Sequence, residues 1–177
     1  AEKDDFYGFH RVAPSQTIHR TVTLITGNES VYEYTLGTGF DVSTLAYSTS
    51  YYVGFHDKNP LNTTFSTDGT KMYIVDRDGD AVLEYNLDPA YDVSEEAYQS
   101  SQDADVSGQT GNPEDIFFSP DGLKMFILEN DGADSVLEYA LGSAYDVSDE
   151  TYTDAFAITG YSGSVDAMEF SSDGTKL

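Results

Sequence analysis

Asp76-Arg77-Asp78-Gly79-Asp80 is the one stretch of the chain with ion-ligand spacing. Alternate carboxylates in a tight, glycine-containing loop can converge on a hard cation such as calcium. The loop departs from an EF-hand, because its glycine falls at the fourth place and no bidentate Glu follows at the twelfth. A related turn, Glu129-Asn130-Asp131-Gly132-Ala133-Asp134, keeps the acidity and loses the spacing. Asp76, Asp78 and Asp80 therefore stand as candidate calcium ligands, against the alternative of an ordinary solvated hairpin turn. Calcium is the only cofactor the residues suggest. His56 lies beside Asp57, a pairing that is more often a surface hydrogen bond than a catalytic one. No second nearby His or Cys completes a zinc site. No nucleophile elbow, phosphate-binding loop or dinucleotide fingerprint occurs, and nothing in the sequence singles out two of its 32 carboxylates as an acid pair.

Other acids recur, and recurrence is itself informative. Phe65-Ser66-Thr67-Asp68-Gly69-Thr70-Lys71-Met72-Tyr73 is echoed from Phe118 to Phe126 and again from Phe170 to Leu177, with the phenylalanines 53 and 52 residues apart. One supersecondary unit is being repeated. A residue present in every unit serves the unit, so Asp68-Gly69, Asp121-Gly122 and Asp173-Gly174 read as structural turns. Glu33, Glu84 and Glu138 recur inside Val-x-Glu-Tyr-x-Leu, at positions 31–36, 82–87 and 136–141. These glutamates read as facing solvent or pairing with a Lys on an adjacent strand, with a ring around a central channel as the alternative. A third phrase, Phe40-Asp41-Val42-Ser43, returns as Tyr91-Asp92-Val93-Ser94 and Tyr145-Asp146-Val147-Ser148.

The elements that position these phrases are short β-rich runs. Asp115 to Phe118 reads as a first strand, Ser119-Pro120-Asp121-Gly122 as the turn after it, and Lys124 to Leu128 as a second strand. Ser135 to Leu141 supplies a third strand and Tyr152 to Thr159 a fourth. No window carries a helical period of apolar residues. Four antiparallel strands in about 50 residues is the pattern of a β-propeller blade. The boundaries follow: an N-terminal extension or arm at 1–20, a partial blade at 21–60, blades at 61–112 and 113–164, and the first strand of a further blade at 165–177. The first unit lacks its first strand and the last has little else, so the leftover pieces together make one blade, three blade-equivalents in all. Three arrangements accommodate that count: two copies in a six-bladed ring, a piece of a longer array, or an open stack.

Composition bounds the partners. Against 32 acidic side chains stand 8 basic ones, a net charge of −24. This argues against nucleic acid and against anionic lipid. There is no cysteine, hence no disulfide or thiolate metal site, and no run long enough for a helical membrane span.

The Phe-Ser-x-Asp-Gly-x-Lys-Met-Tyr and Val-x-Glu-Tyr-x-Leu phrases resemble the repeats of YVTN and TolB-like β-propellers, whose signature strand is matched by Tyr73-Ile74-Val75-Asp76 and Phe126-Ile127-Leu128-Glu129. The Tyr-Asp-Val-Ser phrase is similar to one found in large surface and virion proteins of marine bacteria and phages. The resemblance implies an all-β propeller belonging to a larger or oligomeric ring, located outside the cell, on its surface or in a virion. Regular repeats with no odd catalytic member, high acidity and 14 tyrosines suggest a non-enzymatic module for adhesion or assembly, with a glycan or protein ligand and self-association. The alternative is a lactonase-like or other hydrolase whose catalytic residues lie largely outside this chain.

Overall fold

In the computed structural model, residues 6–7, 19–25, 29–57, 59–98, 102–130, 134–158 and 165–177 are described. They are all-β, in three antiparallel sheets joined in sequence. The first contains β1 (Phe6–Tyr7), β2 (His19–Ile25), β3 (Ser30–Leu36) and β4 (Leu45–Tyr52); the second, β5 (Pro60–Phe65), β6 (Lys71–Asp76), β7 (Ala81–Leu87) and β8 (Glu96–Tyr98), with β9 (Ala104–Asp105) also paired to β7. The third comprises β10 (Pro113–Phe118), β11 (Lys124–Glu129), β12 (Ser135–Leu141) and β13 (Glu150–Ala157). Each sheet meanders through its strands in order, which makes it one blade.

Strand alternation lets the middle blade bury both faces. Met72 and Ile74 of β6 join Val31, Val53, Leu83 and Tyr85 in a core between the first two blades. Tyr73 and Val75, one residue out of phase, join Ile116, Phe118, Met125, Ile127 and Tyr139 between the second and third.

The Asp-Gly phrase is a closed turn. Asp121 Oδ1 accepts from Ser119 Oγ at 2.6 Å and from the Leu123 amide at 3.1 Å, and Gly122 takes φ +70°, a conformation glycine adopts without a side-chain clash. Asp68 and Asp173 make the same bonds. These hydroxyl and amide donors hold Asp68 and Asp121 below the usual carboxylate range. The turn also grips the third phrase. Tyr91 and Tyr145 donate their amides to the carbonyls of Gly69 and Gly122, each at 2.8 Å, and their rings lie where a Cβ on those glycines would project. Two phrases that look separate in the sequence are thus one clasp, 23 residues apart along the chain.

Two sequence expectations change. The segment 1–20 is more than an extension, since Phe6 and Tyr7 pair with Ile25 and Leu24 and so give the first blade a short first strand. Residues 8–18, which include His10, lie outside the described residues. Conversely, 165–170 forms no strand. In the other blades the first strand pairs with six residues after the turn, whereas here only Lys176 and Leu177 follow it. The segment still closes its turn, with Ser171 N to Lys176 O at 2.9 Å. Phe170 packs on Phe126 with ring centres 4.6 Å apart, as Phe118 packs on Tyr73 one blade earlier at 4.7 Å.

Candidate functional site

The first strands of adjacent blades lie side by side, and their departures from the repeat converge there. Asn62 on β5 and Asp115 on β10 occupy the same place 53 residues apart. Each side chain folds back to accept the amide of the next residue, Thr63 at 2.6 Å and Ile116 at 2.8 Å. Each place coincides with a shift of strand register, where a residue leaves the ladder and its side chain is re-aimed. Asn62 Nδ2 then donates to Asp115 Oδ1 across the two blades, and Asp115 Oδ2 accepts the Met168 amide at 2.7 Å.

Asp115 is buried. Burial pushes its carboxyl up to about 6, against the lowering effect of the Met168 and Ile116 amides. Three donors leave room for a fourth at a carboxylate, so the group can hold one water while titrating close to neutrality. That is the equipment of a general base.

Beside it, Glu114 stands where the preceding repeat has Leu61. It is buried and pairs with Arg77 from the turn after β6, joining the second and third blades. At the start of the second blade, Asp57 replaces the hydroxyl of Thr110. Both cap the residue two positions on, Asp57 Oδ1 taking the Asn59 amide at 2.8 Å and Thr110 Oγ1 the Asn112 amide at 3.0 Å. Asp57 is buried and its Oδ2 has no hydrogen-bond partner. Burial first, and the charge of Asp76 second, drive its carboxyl well above the carboxylate range.

Asp76, Asp78 and Asp80 are not brought together as a ligand set. Asp76 Oδ1 takes the Gly79 amide at 3.0 Å, Asp78 Oδ1 takes Asn59 Nδ2 at 3.2 Å, and Asp80 sits at φ +49° in the turn. Among the described residues no group of three His, Asp or Glu side chains forms a metal site; residues 131–133 of the related turn lie outside them. His56 stacks on Tyr98 with ring centres 3.9 Å apart. The recurring glutamates serve the blades: Glu84 pairs with Lys71 and Glu138 with Lys124, both at 2.8 Å, and Glu33 accepts the Val93 amide at 3.1 Å. Sequence reasoning passed over Asn62, Glu114 and Asp115. The signal was available in the mismatch of Leu61-Asn62 with Glu114-Asp115 under the shared Asn-Pro that precedes each pair.

No protein-family model matches the chain, and no curated protein does. Solved structures do. A provisionally assigned 6-phosphogluconolactonase from Bacteroides uniformis superposes with a TM-score of 0.64 at 16% identity, over 97% of this chain and 46% of its own. The chain is a partial β-propeller. A provisionally assigned 6-phosphogluconolactonase from Bacteroides fragilis gives 0.63 at 15% identity over the same shares, 97% and 46%. The periplasmic gluconolactonase of Pseudomonas aeruginosa gives 0.55 at 15% over 87% and 42%. The chain thus spans less than half the length of these neighbours. They overturn the expectation of a non-enzymatic module, which rested on repeats with no odd member: the fold is one carried by proteins named as lactonases, and Asp57, Glu114 and Asp115 are odd members. Among the described residues no helix is long and apolar enough to cross a membrane.

Proposed function

We propose that this chain contributes blades to a propeller hydrolase of the lactonase kind, acting on a sugar lactone. The observation that carries the reading is Asp115, an unrepeated, buried carboxyl on an inner strand with its pKa pushed up to about 6. In this role Asp115 takes a proton from water as the water attacks the lactone carbonyl. The ring oxygen leaves as the alcohol of the opened acid and receives a proton from solvent. Asn62 and the Met168 amide fix the orientation of the base, and the Arg77–Glu114 pair holds the two first strands in register. The net charge of −24 disfavours a phosphorylated substrate by long-range repulsion, so an uncharged aldonolactone is the preferred class. Acidity and the absence of cysteine suit a site of action outside the cytoplasm, in keeping with the periplasmic neighbour. The YVTN-type repeat phrases are compatible with such an enzyme.

The test is hydrolysis of glucono-1,5-lactone and its 6-phosphate by the full chain, followed by proton release. Turnover above background, faster on the uncharged lactone, supports the proposal. Absence of turnover with both substrates from pH 5 to 8 contradicts it.

A further inference from the structure

Each blade's recurring acid reaches into the Tyr-Asp-Val-Ser corner of the blade that follows. Glu33 of the first blade accepts the Val93 amide of the second. In the second blade Lys71, paired with Glu84, donates Nζ to the Tyr145 carbonyl of the third at 3.0 Å. The corners so received are sealed, with Val93 and Val147 each 0% exposed. Two members of the series stand open. Glu138, paired with Lys124, is 32% exposed against 1% for Glu84, because no blade lies on that face. At the other end Phe40 and Val42, the first copy of the corner, are 73% and 81% exposed, because no blade precedes them.

The backbone repeats the same complementarity. Residues 165–170 lie in no ladder, while β1 pairs with only Leu24 and Ile25 of β2, leaving Thr21–Thr23 where β6 would pair with the end of its first strand. Beside Phe170, a cleft of about 260 Å³ between Phe126, Phe156 and Leu177 is open on the third blade. In the complete blades Phe65 and Phe118 are covered by the corner tyrosines, Tyr91 at 5.6 Å and Tyr145 at 5.5 Å. The counterpart for Phe170 is Phe40.

We infer that the free face of the third blade is a docking surface for a second copy of this chain. It receives the Phe40-Asp41-Val42-Ser43 corner, with residues 165–170 completing the edge of the partner's first blade. The contact is made twice, tail to head, and closes a ring of six blades. The occupant is a second copy because both halves of the contact are present, unused, in one chain, and no other surface repeats the corner phrase. Two copies also approach the length of neighbours of which one covers 46%. With −24 on each copy, screening by salt strengthens the association.

Sedimentation of the full chain decides it. A species of twice 19.4 kDa, tightening as salt is raised, is expected. Val42→Asp and Glu138→Lys, both at exposed positions, weaken association at least tenfold while circular dichroism stays unchanged. The chain has no cysteine, so mixing a Val42→Cys chain with a Glu138→Cys chain and adding a short bis-maleimide should link the pair, and neither chain alone. A monomer at all concentrations overturns the inference, as it would if a blade of some longer chain were the occupant. An open series of higher oligomers, or cross-linking within either variant alone, also overturns it.

Discussion

The second and third blades are built from the same phrases and differ in two respects: what lies against them, and which residues stand at the head of their first strands. Their clasps are superimposable in chemistry, Asp68-Gly69 with Tyr91 and Asp121-Gly122 with Tyr145. Their Lys–Glu pairs have equal length, yet one is sealed between blades and the other faces water. Their heads carry Asp57, Leu61 and Asn62 in one case and Thr110, Glu114 and Asp115 in the other. Recurring residues hold the blade together, and departures from the repeat carry the chemistry. The difference lies in the cost of burial. A turn carboxylate is stabilised by hydroxyl and amide donors, whereas Asp57 and Asp115 are pushed towards their neutral forms by desolvation.

The comparison is sharpened first at the clasp. Gly122→Ala puts a Cβ into the Tyr145 ring at a positive φ, and should lower stability by roughly 2–4 kcal/mol from strain and overpacking together. Gly174→Ala, at φ +68° with open space around it, should cost only about 1 kcal/mol. Denaturant melts of the two proteins check the contrast, and equal losses would break the clasp account. Next comes the ion pair. Lys71→Met leaves Glu84 buried without its partner and should cost about 3 kcal/mol, while Lys124→Met on the open face costs about 0–1 kcal/mol. The same melts, run in low and high salt, measure both. A smaller effect is expected from Asp57→Thr, which copies the residue of the next blade. Because the folded state raises the Asp57 pKa, it binds that proton more tightly than the unfolded chain does. The stability it contributes is present in acid and is lost as pH rises above the unfolded value of about 3.8. Asp57→Thr should therefore be the more stable protein at neutral pH by about 1–2 kcal/mol, with a flatter pH dependence, and thermal melts from pH 4 to 8 would show a crossing trend if the shift were in the other direction.

Much of the fold was legible because its signal is written repeatedly. Third strand Ser135–Leu141, turn Asp121-Gly122 and the pairing of Glu84 and Glu138 with lysines all follow from phrases seen two or three times. The clasp was hidden because its halves are separated by two strands, and only the left-handed backbone of Tyr91 and Tyr145, at φ +62° and +60°, swings those rings over the glycines. The strand expected at 165–170 failed for a physical reason: an isolated run has no ladder to join. The candidate site was missed because attention to recurrence treats single departures as noise. Asp115 looks like any of 32 acids until the inner strands are seen to bury it against Asn62 and the Met168 amide.

The central claim, that departures from the repeat carry the chemistry, is tested most directly by Asp115→Asn, which installs the residue found at the same place in the preceding blade. Lactone turnover and thermal melting should be measured together from pH 5 to 8. The predicted result is a wild-type rate that rises through about pH 6 and falls by roughly 10²–10⁴-fold in the variant, with the melting temperature at neutral pH held or raised. Unchanged turnover in the variant, or a wild-type rate flat through pH 6, would contradict it.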